Sequence, residues 1–317
     1  MSETEMRKLG ASQIEVSAMG VGTWSWGDKG VWGYGSQYGL SDVQAAFKAS
    51  LEAGFTLFDT AEIYGKGMSE KILGDCVRQA EQPVIIASKF APLPYRFSAA
   101  ELPKALDASL QRLGVPKIDL YQIHWPYGFI KIESLMDGLV TAYEAGKIGA
   151  IGVSNYTADQ MKRAQDRLSR HNLRLASNQV HYSLLHRKPE ANGVLNTCRQ
   201  LDIALIAYSP LAQGLLTGKF GPDYKVSGSR GLSPRFRQAN VRKIQPLIDT
   251  LKKVGQAHDK TVAQVALRWL LQRDPLVIPI PGAKNPQQAS QNAGAMNWQM
   301  DEIQFELINR AAHPWLR

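Results

Sequence analysis

Asp59, Tyr64, Lys89 and His124 are side chains able to hold or move a proton, and their settings repeat along the chain. Three of them end a short apolar run: Phe55-Thr56-Leu57-Phe58 precedes Asp59, Val84-Ile85-Ile86-Ala87-Ser88 precedes Lys89, and Ile118-Asp119-Leu120-Tyr121-Gln122-Ile123 precedes His124. Runs of that length and make-up read as strands buried on both faces. Tyr64 follows five residues after Asp59, in the loop Thr60-Ala61-Glu62-Ile63-Tyr64-Gly65. A phenol with its ordinary pKa of ~10 gives up a proton poorly at neutral pH, and a nearby ammonium lowers that value by stabilising the phenolate. In this reading Lys89 lowers Tyr64, Asp59 holds and balances Lys89, and His124 donates to a substrate oxygen while orienting it. Taken singly, each has an ordinary structural role, as a cap, a buried ion pair or a satisfied core histidine. Delivered together by three successive strands, they point to one site for acid–base chemistry.

Positioning four such residues on one rim demands a parallel strand array. After a hairpin from Arg7–Leu9 and Ile14–Val16, Met19-Gly20-Val21 is expected as the first strand. Ser41 is expected to cap a helix to Ala53, with further helices from Ser69 past Cys76, Ser98 to Leu113, Ile132 to Ala145, Thr157 to about Arg170 and Glu190 to Leu201. Between them lie Ile151–Asn155, Ser177–Val180, Ala204–Ser209 and Val277–Ile280 as the later strands, and a helix from Asn285 to Ala295 closes the series. Eight strand–helix pairs in ~250–300 residues is the arithmetic of a (β/α)₈ barrel, whose chemistry sits at the carboxyl ends of the strands. The expectation is a single domain over residues 1–317 with an N-terminal hairpin, an extra rim segment from Leu211 to about Gln256, and a C-terminal helix from Asp301 to Arg310.

Composition narrows the class. The chain has 317 residues, 44% hydrophobic and 21% charged, enough for one large core. Cys76 and Cys198 make neither a disulfide framework nor a zinc motif and suit a reducing cytosol, so a cytoplasmic protein is expected. No apolar stretch resembles a signal peptide or a membrane span. The net charge of +9 raises nucleic-acid binding. The basic run from Lys162 to Arg174, however, is interleaved with Asp166 and has no aromatic stacking platform, which favours a solvated helix face. Neither nucleic acid nor membrane is expected as a partner. There is no His-x-His pair for a metal hydrolase and no Gly-x-Ser-x-Gly elbow, and no metal is expected. His181 and His186 read as structural or substrate-side.

Six ordered stretches carry a resemblance: Asp59-Thr60-Ala61-Glu62-Ile63-Tyr64-Gly65, Lys89, His124-Trp125-Pro126, Gly152-Val153-Ser154-Asn155-Tyr156, Asn178-Gln179-Val180 and Ile280-Pro281-Gly282-Ala283-Lys284. In this order and over nearly the whole chain, the sequence resembles the aldo-keto reductase superfamily. The resemblance implies a barrel that binds NAD(P)H and reduces aldehydes or ketones, with Tyr64 as general acid, Lys89 and Asp59 tuning it, and His124 orienting the carbonyl. It further implies that Ser154, Asn155 and Gln179 bind the nicotinamide carboxamide and that Tyr208 stacks on the ring. Ser209, Pro210, Leu211, Gln213, Gly214 and Lys219 would lie over the pyrophosphate. Gly282, Lys284, Gln288, Gln291 and Asn292 would hold the adenosine phosphate, with Thr23, Trp24 and Asp59 also at the cofactor. Many members have arginine at the position of Gln288, whereas members resembling potassium-channel β subunits have glutamine there, as this chain does. A redox-sensing regulatory subunit is therefore the second reading. Lys284 still supplies a cation for a 2′-phosphate, so NADPH is expected ahead of NADH.

The glycine-rich stretch Gly27 to Gly39 carries Trp32, Tyr34 and Tyr38, after Trp24 and Trp26, while Trp125 and Tyr127 follow His124. Trp24, Trp26 and Trp125 are expected to line an apolar mouth for a small carbonyl substrate, aromatic or of medium size. The basic segment Arg230 to Arg237 would either cover the cofactor phosphates or set a cation over that mouth.

Overall fold

The computed structural model describes residues 4–96, 98–127, 129–221 and 233–316. A hairpin of β1 (Met6–Lys8) and β2 (Glu15–Ser17) comes first. Eight parallel strands follow: β3 (Val21–Gly22), β4 (Leu57–Asp59), β5 (Ile85–Phe90), β6 (Ile118–Ile123), β7 (Ile148–Ser154), β8 (Leu175–His181), β9 (Ala204–Tyr208) and β10 (Val277–Ile280). Each pairs with its neighbour in sequence, β3 through β10. The ring closes through the Gly20 N–H to Pro279 O at 2.9 Å and the Gly22 N–H to Pro281 O at 3.1 Å. Glycine is needed at this seam, because a Cβ on Gly22 would stand 3.0 Å from the carbonyl oxygen of Ile280. The (β/α)₈ architecture read from the sequence is what the chain forms.

Helices α1 (Leu40–Glu52), α2 (Met68–Val77), α3 (Glu101–Leu113), α4 (Ile132–Glu144) and α5 (Ala158–Ser169) alternate with the early strands. The expected cap at Ser41 is two residues off: Gly39 is the cap residue, and Asp42 accepts its N–H at 2.8 Å. The single helix expected from Glu190 to Leu201 is two, α6 (Lys188–Ala191) and α7 (Val194–Leu201), broken at Gly193 with φ +82°. α8 (Gln238–Gln256) is the extra rim helix, and α9 (Val262–Arg273), which the sequence reading passed over, is the crossover to β10. α10 (Pro286–Ala293) and α11 (Glu302–Ala311) complete the chain.

Two cores result. Leu57, Ala87, Leu120, Ala150, Ala204, Ile206 and Ile278 form one cluster with Leu9 and Val16, so the hairpin belongs to the barrel's inner core. The other lies between sheet and helices and includes Leu106, Leu139, Leu168, Leu251 and Leu270. Burying each such side chain is worth ~1.5–3 kcal/mol, and this is what fixes the strand ends in space. The basic face of α5 is spent on α4, Arg163 with Glu133 and Arg167 with Asp137. Among the described residues no helix is long and apolar enough to cross a membrane.

The start of α9 is held by a reciprocal cap in which Thr261 Oγ1 accepts from Gln264 N at 3.3 Å and Gln264 Oε1 from Thr261 N at 2.9 Å. Thr261→Ala should therefore lower stability by ~1 kcal/mol in urea denaturation while Thr261→Ser keeps it. An unchanged midpoint in the alanine variant would show that packing alone sets this helix start.

Candidate active site

Asp59 ends β4, Lys89 lies one residue from the end of β5, and His124 follows β6 directly. Tyr64 opens a short turn, Tyr64–Gly67, whose next two residues, Gly65 and Lys66, are left-handed at φ +56° and +57°. Only glycine suits the first of them, since a Cβ there would press to 2.8 Å on the carbonyl oxygen of Gly27. The loop is anchored midway by Glu62, whose carboxylate takes the Ala91 N–H at 2.6 Å and both terminal nitrogens of Arg96. The phenol is thereby carried to the barrel mouth over Lys89.

Lys89 is fully buried and donates to Asp59 Oδ1 at 2.6 Å, to the Thr60 carbonyl at 2.7 Å and to the Tyr64 hydroxyl oxygen at 3.4 Å. Asp59 Oδ2 accepts from Gln179 Nε2 at 2.8 Å and Gln122 Nε2 at 3.3 Å. The ammonium and carboxylate thus satisfy each other and leave the phenol with little net charge beside it. As a result burial, and after it the Asp59 carboxylate, hold Tyr64 well above the ordinary phenol value of 10.0. The lowering by Lys89 anticipated from sequence does not occur in this pocket. Lys89 itself is lowered by burial, against the pull of Asp59.

The His124 ring meets the Tyr64 ring edge-on at 5.7 Å and lies parallel to Trp125 at 3.7 Å. Burial first, then the charge of Lys89, keep it well below the ordinary 6.5, so the imidazole is neutral at physiological pH. Its Nδ1 is sealed from solvent with no partner among the described residues. A buried N–H without an acceptor costs more than a bare lone pair, which favours the proton on Nε2.

The residues expected at the nicotinamide form one hydrogen-bonded chain. Ser154 Oγ donates to the Gln179 carbonyl at 2.8 Å, Asn155 Nδ2 to the His124 carbonyl and to Ser154 Oγ at 3.1 Å each, and the Tyr208 hydroxyl to Asn155 Oδ1 at 3.0 Å. Beyond Tyr208, Ser209, Ala212 and Gln213 all have φ near +50°, around Pro210 and Leu211, and Gly214 follows at +102°. Left-handed non-glycine residues cost ~1–3 kcal/mol each and gather where a backbone must meet a ligand. Lys219 lies beside this loop, its Cε 3.5 Å from where a Gly214 Cβ would be. Across the barrel, Asn285 caps α10 ahead of Pro286, and Asn292 Nδ2 donates to the Gly282 carbonyl at 3.3 Å. Gln288 Oε1 accepts the Lys284 N–H at 3.0 Å, and the Gln291 side chain is exposed. The Lys284 ammonium donates to Trp32 O at 3.2 Å and stands 4.6 Å from both the Trp32 and the Tyr38 ring centres. A flat aromatic ring, amide partners beside it, a strained loop with a lysine, and a helix start with a second lysine fit a pyridine dinucleotide phosphate from end to end.

Two expected residues turn inward. Thr23 is fully buried and its hydroxyl is engaged with the Asp59 carbonyl at 2.9 Å and Ser69 Oγ at 2.8 Å, so its side chain positions Asp59. Trp26 does not line the mouth: it has no exposed surface, packs on Phe58 and donates Nε1 to the Ala283 carbonyl at 2.8 Å. Trp24 is 36% exposed, lies 6.3 Å from the Tyr64 ring and contacts Trp32 edge-on at 5.4 Å. Trp125, Tyr127 and Phe129 continue the His124 stack outward, at 5.6 and 5.7 Å. Of the segment Arg230 to Arg237, residues 230–232 lie outside the described residues, and Arg235 sits by His181. Sequence reasoning missed Gln122, which shares a strand face with His124 two residues on and was findable from period-two alternation. Glu62 with Arg96, and Ser69, left no such signal.

Both thiols are unsuited to nucleophilic work, since burial pushes Cys76 up to about 11 and Cys198 up to about 12. What the rim offers instead is a phenol kept protonated and a neutral imidazole beside residues of the types that hold a pyridine dinucleotide, the equipment of an oxidoreductase acting on carbonyl groups. The chain belongs to the aldo/keto reductase family, whose model matches residues 18–313. It is 36% identical over 317 residues to a chloroplastic pyridoxal reductase of Arabidopsis thaliana, covering 95% of this chain and 85% of that protein. Its fold is similar to that of a glycerol dehydrogenase from Gluconobacter oxydans, with a TM-score of 0.86 at 28% identity over 100% of this chain and 97% of the other. An aldo-keto reductase from Klebsiella pneumoniae solved in complex with NADPH gives a TM-score of 0.76 at 28% identity, over 97% and 95% of the two chains.

The two titrations set a pH profile. An acid must be protonated to act, so activity falls as pH rises through its pKa; with Tyr64 held above 10.0 and His124 below 6.5, kcat/KM for reduction should stay flat between those values. An alkaline limb with a midpoint well under pH 10 would mean that the charge on Lys89 outweighs burial after all.

Proposed function

We propose that this protein reduces aldehydes or ketones to alcohols with NADPH, Tyr64 acting as general acid. The observation that carries the reading is the protonated Tyr64 phenol fixed between the Lys89 ammonium, 3.4 Å away, and the neutral His124 ring. Bound NADPH supplies the hydride to the carbonyl carbon. His124 donates from Nε2 to the carbonyl oxygen and holds it toward Tyr64, which gives its proton to the oxygen as negative charge develops there. Lys89 then donates to the phenolate oxygen, and Asp59 keeps Lys89 charged in a pocket where burial alone would neutralise it. Trp24, Trp125 and Tyr127 exclude water from one side of the mouth.

The same rings set the proposed substrate class. A mouth rimmed by Trp24, Trp125, Tyr127 and Phe129 favours aromatic or medium-sized aldehydes, since burying an unpaired carboxylate there costs several kcal/mol. The pyridoxal reductase relative supports that class. The two buried thiols suit a reducing compartment, and the cytoplasm is the proposed location. The regulatory reading resting on Gln288 finds a structural use for that side chain in the Lys284 N–H contact, while His124 completes a set for turnover.

A panel of aldehydes assayed with NADPH tests the reading. Nitrobenzaldehyde-like and pyridoxal-like compounds should lead glyoxylate-like ones in kcat/KM over many turnovers, and Tyr64→Phe should lose at least ~10²-fold in kcat while still binding NADPH. Full activity in the phenylalanine variant would remove Tyr64 from the mechanism, and a single turnover with retained cofactor would favour a sensor. In a separate measurement, Lys284→Ala should weaken NADPH by ~1–3 kcal/mol and leave NADH nearly unchanged. Equal losses for both cofactors would show that Lys284 does not meet the 2′-phosphate.

A further inference from the structure

Below the loop that follows β9 lies a cavity of about 220 Å³ that the reduction mechanism does not use. His181 and His186 come from the end of β8 and the turn after it, Arg235 from the turn before α8, and Asn240 and Lys243 from α8 itself. The two imidazoles stack at 4.1 Å with planes 11° apart, and His181 lies parallel to the Tyr208 ring at 5.4 Å. The pocket therefore shares a wall with the tyrosine assigned to the nicotinamide, yet neither Tyr64 nor His124 lines it.

Its charge is out of keeping with the rest of the protein. The partly or fully buried arginines Arg96, Arg112, Arg187, Arg273 and Arg268 are matched by carboxylates, whereas Arg235, Asn240 and Lys243 are exposed residues at the rim of this cavity, above the half-buried His181 and His186. Here a guanidinium, an ammonium and two imidazoles surround one cavity, and no acidic side chain is among its described lining residues. His181 Nε2 is closed off from solvent without a hydrogen-bond partner among the described residues. Burial, His186 and then Arg235 hold His181 down to about 3, and burial and Arg235 lower His186, so the pocket resists adding further positive charge while it is empty of anions. A doubly negative oxyanion reverses that balance and receives donors from several directions, as a tetrahedral group requires.

We propose that this pocket is a binding site for a phosphoryl dianion, held by His181, His186, Arg235 and Lys243 and separate from the hydride-transfer site. Both free phosphate and the terminal group of a phosphate monoester carry that chemistry. The guanidinium and ammonium supply the charge, and Ser183 and Asn240 add neutral polar groups to the wall.

The test is calorimetric titration of inorganic phosphate into protein saturated with NADP⁺, at constant ionic strength, so that the cofactor's own phosphate positions are filled. One phosphate per chain is expected, with binding weakened at least tenfold in His186→Gln and in Lys243→Met, both checked for native melting. Acetate should neither bind there nor displace phosphate. Phenyl phosphate competing with inorganic phosphate assigns the pocket to the phosphoryl end of an ester, and failure to compete assigns it to the free ion. The proposal is overturned if the NADP⁺-saturated protein binds no phosphate, which would make the pocket part of the cofactor groove, or if both variants bind it as tightly as the parent protein.

Discussion

The ion pair between Lys89 and Asp59 is the contact on which the rim is built. Both groups lie out of solvent, 2.6 Å apart, so each depends on the other and on the hydrogen bonds that use up its remaining valences. Lys89 spends its three N–H bonds on Asp59, Thr60 and Tyr64; Asp59 takes the amides of Gln179 and Gln122 on its second oxygen. Strands β4, β5, β6 and β8 are thereby tied to one carboxylate. Losing either charge strands the other in a low-dielectric interior, a loss of ~3–5 kcal/mol for a buried pair, so the centre tolerates little rearrangement. Such a pair is weak evidence for stability and better evidence for position, because a hydrophobic substitute would hold the strands together and leave the phenol unplaced.

How much of this was legible in the sequence follows from which forces act locally. Short apolar runs ending in Asp59, Lys89 and His124 are a local signal, and all eight barrel strands stand within a few residues of where such runs put them. α9 was missed because seven of its twelve residues, Val265 through Leu271, are buried, which erases the polar stripe that marks a surface helix; even Arg268 is buried, paired with Glu5. The break at Gly193 turns on a φ that composition alone does not announce. Trp26 and Thr23 turn inward for a related reason: each sits in a loop at the right rim, but which way a loop side chain faces is decided by partners distant in sequence, Ala283 for the tryptophan and Ser69 for the threonine. Their types were informative and their directions were not.

The aromatic loop after β3 joins the two ends of the groove. Trp24 lies beside Tyr64 and against Trp32, and Trp32 with Tyr38 boxes the Lys284 ammonium at the far side. A cation over two rings keeps much of its attraction in a partly dry setting, ~0.5–2 kcal/mol per ring. The same few residues then form one continuous run of contacts from Tyr64 through Trp24 and Trp32 to Lys284.

Under the proposed reduction, the raised Tyr64 pKa alters how the acid is to be understood. A phenol poised near neutrality would spend part of its time ionised, leaving nothing to donate and a second negative charge close to Asp59. Burial and Asp59 prevent that state. The cost would be a slow proton transfer if the acceptor were a neutral carbonyl, whose basicity is slight. The acceptor that matters is the oxygen as it becomes an alkoxide, a far stronger base than the neutral carbonyl. The transfer therefore becomes favourable only once hydride has begun to arrive. Proton donation is thus tied to the chemical step, and Lys89, 3.4 Å from the oxygen, acts chiefly on the phenolate left behind. The buried pair that fixes the geometry also sets the moment at which the proton moves.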